Sequence, residues 1–136
     1  MPASFFDSNV LIYTISSDER RRRLARALVD DGGTISVQVL NEVANVARRK
    51  LGLGWSDTRV LLGPFREALT ICDLTAAIHD HGLRLGERYG FAIYDSMIVA
   101  AALAASCDTL WSEDMQNGLV VEDRLTIRNP FSEQHP

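Results

Sequence analysis

A chain of 136 residues, 46% hydrophobic and 24% charged, has the composition of a soluble folded protein. It is long enough to bury about two-thirds of its unfolded surface in one core, so a single domain over residues 1–136 is expected. The formal net charge of −4, from 14 basic and 18 acidic residues, argues against a protein that coats nucleic acid by bulk attraction, and any such contact must be local.

Along the chain, "SFF" at 4–6 is a short apolar strand. "SSDERRRRLARALVDDGG" opens with Ser16 and Glu19 in capping-box spacing and ends at a double glycine, which predicts a helix over about 18–29. "TIS" is a brief strand whose Ser36 can cap a helix through "VQVLNEVANVARRKLG". A further helix starts at Ser56, with Gly63 and Pro64 expected to kink or split it. "LTICDL" is a strand, and Thr75 caps a helix that stops at Gly90. "YDSMIVAAALAAS" is an almost wholly apolar helix that should be buried on most sides. The strands "DTLW" and "LTIR" complete an alternation that predicts an α/β fold, a mainly parallel sheet sandwiched between helices.

No stretch approaches the roughly 18 apolar residues of a membrane span, and no basic segment followed by a long apolar run opens the chain, so a cytoplasmic location without membrane contact is expected. Cys72 and Cys107 stand singly in apolar surroundings and read as buried, reduced thiols.

In a parallel sheet, ligands gather at the carboxyl ends of the strands. Asp7 directly follows the first strand, Asp95 falls in the first turn of the most apolar helix, and Glu113 and Asp114 follow "TLW". Glu42 lies inside a helix, at the edge of an inward stripe formed by Val39, Val43, Val46 and Ala47. Asp95 lines up with Val99, Ala102 and Ser106. Each acid also has a structural explanation: Asp7 could cap a turn with Asn9, Asp95 could answer the helix dipole, and Asp114 could cap the segment after it. Their joint placement at one sheet edge is harder to explain structurally, because clustered carboxylates repel unless a cation joins them. An all-oxygen set selects magnesium or manganese over zinc. His79 and His81 form an HxH that diverges on a helix, so they read as surface or boundary residues, and His135 in the tail carries no role. No Ser-His-Asp arrangement or phosphate-cradling glycine loop is present, which leaves metal-assisted chemistry on a phosphate.

From "FFDSNVLIY" through "SVQVLNEVANV" and "YDSMIVAAAL" to "TLWSEDMQNG" and "LTIRNPF", the chain resembles a PIN-domain ribonuclease, in particular the VapC-type toxins of bacterial toxin–antitoxin pairs. The resemblance implies a PIN-like three-layer α/β/α sandwich. It puts the family's three invariant acids on Asp7, Glu42 and Asp95 and its less constant fourth on Asp114 rather than the adjacent Glu113. Ser112 then supplies a hydroxyl where many relatives have threonine, and Asn9 is a second neutral hydrogen-bonder beside the ligands. The implied activity is an endoribonuclease with one or two Mg2+ or Mn2+ ions held by Asp7, Glu42, Asp95 and Asp114. The implied partners are an RNA substrate, a small cognate antitoxin and a second copy in a homodimer. Candidate RNA contacts are Arg20, Arg21, Arg22 and Arg23, with Arg48 and Arg49 on the Glu42 helix, in competition with a solvated helix face. The segments 51–55 and 60–65 are candidates either for apolar contact surface or for core.

Other readings fit less well. A receiver-type signalling domain needs a lysine after a late strand, whereas the only lysine is Lys50. A phosphohydrolase of the haloacid-dehalogenase type needs a DxD, whereas Asp7 is followed by Ser8 and Asn9. A PIN fold that binds RNA or protein without cutting, and a housekeeping PIN nuclease, are the alternatives that keep the same residues.

Overall fold

Among residues 3–132, which the computed structural model describes, the chain runs β1 (Ser4–Phe6), α1 (Ser8–Tyr13), α2 (Glu19–Asp30), β2 (Thr34–Ser36), α3 (Val37–Arg49) and α4 (Trp55–Ala68). It continues through β3 (Thr70–Cys72), α5 (Ala76–Tyr89), α6 (Ile93–Ala104), β4 (Thr109–Trp111), β5 (Val120–Val121) and β6 (Leu125–Arg128). His135 lies outside the described residues.

The strands form one sheet in the order β3-β2-β1-β4-β6-β5, parallel throughout except for β5 against β6. The chain moves from β1 outward through β2 to β3 on one side and returns to β4 on the other. β1 therefore sits where the strand order reverses, and the crevice beyond its carboxyl end is the natural ligand position of such a sheet. Asp7 is the next residue. The expected α/β fold, a mainly parallel sheet flanked by helices, is the one observed.

Burial explains the strand and helix pattern. Phe5, Phe6, Ile35, Leu110 and Ile127 on the strands are fully buried and share one core with Val10, Leu11, Val39 and the run from Ile98 to Ala102. In α6 every residue from Ser96 to Leu103 is buried, as its apolar run demands. Gly82 and Gly86, one turn apart on α5, let α6 come close: a Cβ at Gly82 would lie 2.9 Å from the Met97 side chain, and one at Gly86 would lie 2.8 Å from Ser96 Oγ. That contact seats the first turn of α6, which carries Asp95.

Several local expectations change. The six-residue helix α1 was not expected, and Asp7 is its N-cap, accepting from the Ser8 backbone N–H at 2.7 Å. The cap of α2 is Asp18, which accepts from Arg21 N–H at 3.1 Å, because Ser16 instead accepts from Asp18 N–H at 3.0 Å. Pro64 does not split α4. The carbonyl of Val60 loses its partner there, but Val60 and Pro64 are exposed and water can satisfy it. Gln38 is buried in the stripe where Val46, only partly covered, was expected. Ser106 is exposed beyond the end of α6 at φ 57° rather than on its inward stripe. Cys107 is buried but Cys72 only partly, and both are free thiols. No helix among the described residues is long and apolar enough to cross a membrane.

Gly33 marks the tightest backbone approach at the amino-terminal edge of the sheet, opposite the crevice beyond β1. A Cβ there would meet the Ser4 carbonyl oxygen at 2.8 Å and a Phe6 ring carbon at 2.7 Å, and a carbonyl in a strand cannot rotate away. Gly33→Ala is expected to lower stability by about 1–3 kcal/mol through overpacking, read as a lower midpoint in chemical denaturation. An unchanged midpoint would show that β1 and β2 have slack.

Candidate active site

Asp7 is 3% exposed. The end of β1 places it in the crevice, where its backbone N–H extends the sheet by donating to the Trp111 carbonyl at 3.0 Å. Its Oδ1 accepts from Ser8 N–H, and its Oδ2 accepts from the Ser112 hydroxyl at 2.7 Å and, more weakly, from Asn9 Nδ2 at 3.3 Å. Burial nonetheless dominates. It lifts the Asp7 carboxyl from 3.8 to about 6, the bonds from Ser112 and Ser8 opposing and the charges of Glu42 and Asp95 adding to the rise.

Glu42 comes from the second turn of α3. Ser36, the last residue of β2, caps that helix by accepting from Val39 N–H at 3.3 Å, so the helix rises directly from the sheet edge beside β1. Glu42 Oε1 accepts from Ser8 Oγ at 2.8 Å and Oε2 from Gln38 Nε2 at 2.9 Å. Gln38 stands four residues before Glu42, one helical turn away on the same face.

Asp95, half-buried in the first turn of α6, has its carboxyl pushed up by desolvation first and then by the charges of Glu42 and Asp114. Asp114 accepts from Asn9 Nδ2 at 3.2 Å. The adjacent Glu113 faces elsewhere, accepting from Tyr13 Oη at 2.6 Å and Arg21 Nε at 3.0 Å. Of the two acids after β4, the structure thus brings Asp114 toward Asp7 and commits Glu113 to the α1–α2 corner.

Asp7, Glu42 and Asp114 are therefore linked through neutral donors, and Asp95 comes near enough to feel the charges of Glu42 and Asp114, so four elements contribute an acid to one region. Ser8 Oγ bridges Glu42 and Asp7, at 2.8 and 3.4 Å, and Asn9 Nδ2 bridges Asp7 and Asp114. Among the described residues no three His, Cys, Asp or Glu side chains stand close enough to form a ready-made metal cage. The donor set still suits a hard cation: it is all oxygen, one member is buried and penalised as an anion, and the bridges are neutral groups that a cation could displace.

Sequence reasoning missed Ser8 and Gln38. The i,i+4 spacing of Gln38 and Glu42 was a usable signal, whereas the Ser8–Glu42 bond spans 34 residues and needs the β1–β2 pairing.

The arginine run is largely engaged within the chain. Arg20 donates to the Phe131 carbonyl, Arg22 to the Ser16 carbonyl, and Arg21 pairs with Asp18 and Glu113 at 3.0 Å each. Arg23 and Arg49 are exposed. His81 is a boundary residue bound to Glu122 at 2.8 Å, and His79 is exposed.

The family model described as "PIN domain" matches residues 4–116. No curated protein matches significantly by sequence. Among solved structures, a toxin–antitoxin complex from Klebsiella pneumoniae matches with a TM-score of 0.71 at 20% identity, over 95% of this chain and 98% of that one. DNA-bound VapBC from Salmonella typhimurium matches at 0.68 and 20%, over 96% and 99%. A VapC toxin of Mycobacterium tuberculosis described as cleaving the sarcin–ricin loop matches at 0.66 and 16%, over 79% and 87%.

The raised Asp7 carboxyl fixes the sign of a pH effect. The folded chain holds that proton more tightly than the unfolded one, so the contribution to stability is complete below the ordinary value of 3.8 and lost as pH rises through about 6. At 1.36 kcal/mol per unit the penalty at neutral pH is on the order of 3 kcal/mol. Asp7→Asn should therefore make the metal-free protein more stable at pH 7.5, with the gap closing below pH 4, in denaturant melts across that range. A variant less stable than the parent at neutral pH would mean that the hydrogen bonds of Asp7 outweigh its desolvation.

Proposed function

Because the chain belongs to the PIN-domain family, we propose that it is a metal-dependent endoribonuclease acting as the toxin of a toxin–antitoxin pair. The observation that carries this reading is the convergence of four carboxylates at the sheet's switch point, with Asp7 too buried to be comfortable as an unpartnered anion. The likeness to toxin–antitoxin structures supports the toxin role.

Asp7 and Asp95 would hold a Mg2+ or Mn2+ ion, and Glu42 and Asp114 would either complete its shell or hold a second ion. Once bound, such an ion supplies Lewis-acid activation of water and neutralises charge on the scissile phosphate. The chain's own groups do the rest. Ser112 and the Ser8 backbone fix the orientation of the Asp7 carboxylate, and Gln38 fixes that of Glu42. Glu42 or Asp114, less engaged than Asp7, can accept a proton from the attacking water as general base. Arg20, Arg23 and Arg49 are the exposed members of the basic set for RNA backbone contact, Arg20 already donating to the Phe131 carbonyl, with Arg48 stacked on Trp55 beside Arg49. The partners on this reading are an RNA substrate, a small antitoxin and a second copy of the chain. Leu51 and Val60 are exposed apolar residues available for such protein contacts, while Phe65 belongs to the core.

Purified protein is expected to cut RNA with Mg2+ or Mn2+, to stop in chelator, and not to be rescued by Zn2+. Produced alone in bacteria it should arrest growth, Asp95→Asn should abolish both effects, and coexpression of the antitoxin should restore growth. A harmless parent that cuts RNA would leave a housekeeping nuclease, and an Asp95→Asn variant as toxic as the parent would point to a binding module.

A further inference from the structure

Tyr94 stands one residue before Asp95 in the first turn of α6 and is 63% exposed. Leaving a large aromatic ring in water beside a cluster of acids does nothing for the core. Two surface clefts meet at this residue. One is lined by Gln38, Asn41, Glu42, Asn45 and Tyr94. The other shares Gln38 and Tyr94 and adds the apolar side chains of Leu74, Ile93 and Met97 together with the His79 ring. No Lys or Arg is among the residues lining either cleft.

The chemistry of these clefts narrows what can occupy them. A phosphate would meet no Lys or Arg there, only the His79 ring of the second cleft, and in the first would face the charge of Glu42. An apolar side chain seated over Glu42 and the amides of Asn41 and Asn45 would cover them without giving them partners, which is costly. A nucleobase satisfies both demands, with a neutral π-face for the ring and a donor–acceptor edge for the amides.

The first cations appear farther along. Asn45 also belongs to a third cleft, lined by Ala44, Arg48, Arg49 and Trp55. There the Arg48 guanidinium stacks over the Trp55 ring at 4.0 Å from its centroid, and Trp55 remains 66% exposed. Asn41, Asn45 and Arg49 follow one another at four-residue spacing, so the exposed ridge of α3 runs about 12 Å from the acids to the arginines.

We propose, building on the nuclease reading, that the nucleotide flanking the scissile phosphate is held by its base, stacked on Tyr94 with its edge toward Asn41 and Asn45. The strand then follows α3 to Trp55, Arg48 and Arg49, where its backbone meets positive charge. Tyr94 is on this account a specificity-determining residue: it selects an unstacked base, and so a single-stranded or looped substrate, because a base paired in a helix cannot present its face to the ring.

The test is a coupling measurement on an oligoribonucleotide that the parent cuts, using copies in which one residue at a time near the cut lacks its base. One such position should lower kcat/KM for the parent by roughly 10-fold or more, the size of one lost stacking contact. Tyr94→Ala should lose a similar factor on the intact substrate and be nearly indifferent to the missing base, while Tyr94→Phe should behave as the parent. Thermal midpoints of all three should agree, since Tyr94 is exposed. Additive losses from the variant and the missing base, or a Tyr94→Ala variant with the parent's kcat/KM, would overturn the inference and leave the nuclease intact. A Tyr94→Ala variant that cuts RNA normally but is no longer neutralised by coexpressed antitoxin would also overturn it, assigning the ring to the protein partner. A parent that cuts no RNA would remove the underlying reading itself.

Discussion

A buried carboxylate at the centre of a parallel sheet is the constraint on which the rest of the arrangement depends. Asp7 occupies the one residue between β1 and α1, so it must serve the sheet, the helix and the crevice together. Its N–H continues the ladder to Trp111, its Oδ1 caps α1, and its Oδ2 receives Ser112 from the strand on the other side. These bonds lower the cost of burying the charge without removing it, since the carboxyl still rises to about 6. A scaffold with no use for an anion at this point could place an asparagine or serine there and keep the cap.

The surroundings treat the acids unequally. Asp7 and Asp95 are desolvated, whereas Glu42 and Asp114 are tethered through Ser8, Gln38 and Asn9. Neutral donors between like charges hold the cluster open at moderate cost and yield easily to a stronger partner. The same logic separates Glu113 from Asp114. One residue along the chain turns the side chain toward Tyr13 and Arg21, so Glu113 braces the α1–α2 corner while Asp114 faces Asn9 and Asp7.

Much of this was legible in the sequence, for physical reasons. The strand–helix alternation, the Ser36 and Thr75 caps and the Gly90 stop are local signals, and the apolar run of α6 announced its own burial. The positions of Asp7 at a strand end and Asp95 in a first turn followed from those elements. Other features depend on contacts far apart in sequence. Helix α1 is too short for its periodicity to show among turn-forming residues, and β5 has only two residues. The arginine run looks like a free basic patch until Phe131, 111 residues from Arg20, provides a carbonyl. The meeting of Glu42 with Asp7 became visible from spacing only through the family resemblance, because it depends on β2 lying beside β1.

The most direct test of the central claim, that these four acids form one site for a hard divalent ion, is calorimetric titration of Mn2+ into the metal-free protein in buffers of different ionisation enthalpy. Because Asp7 holds a proton up to about pH 6, binding at pH 6 should release a fraction of a proton that vanishes above pH 8, and Asp7→Asn should remove most of the release and most of the affinity. Binding that releases no proton at pH 6, or that survives in Asp7→Asn unchanged, would contradict the account.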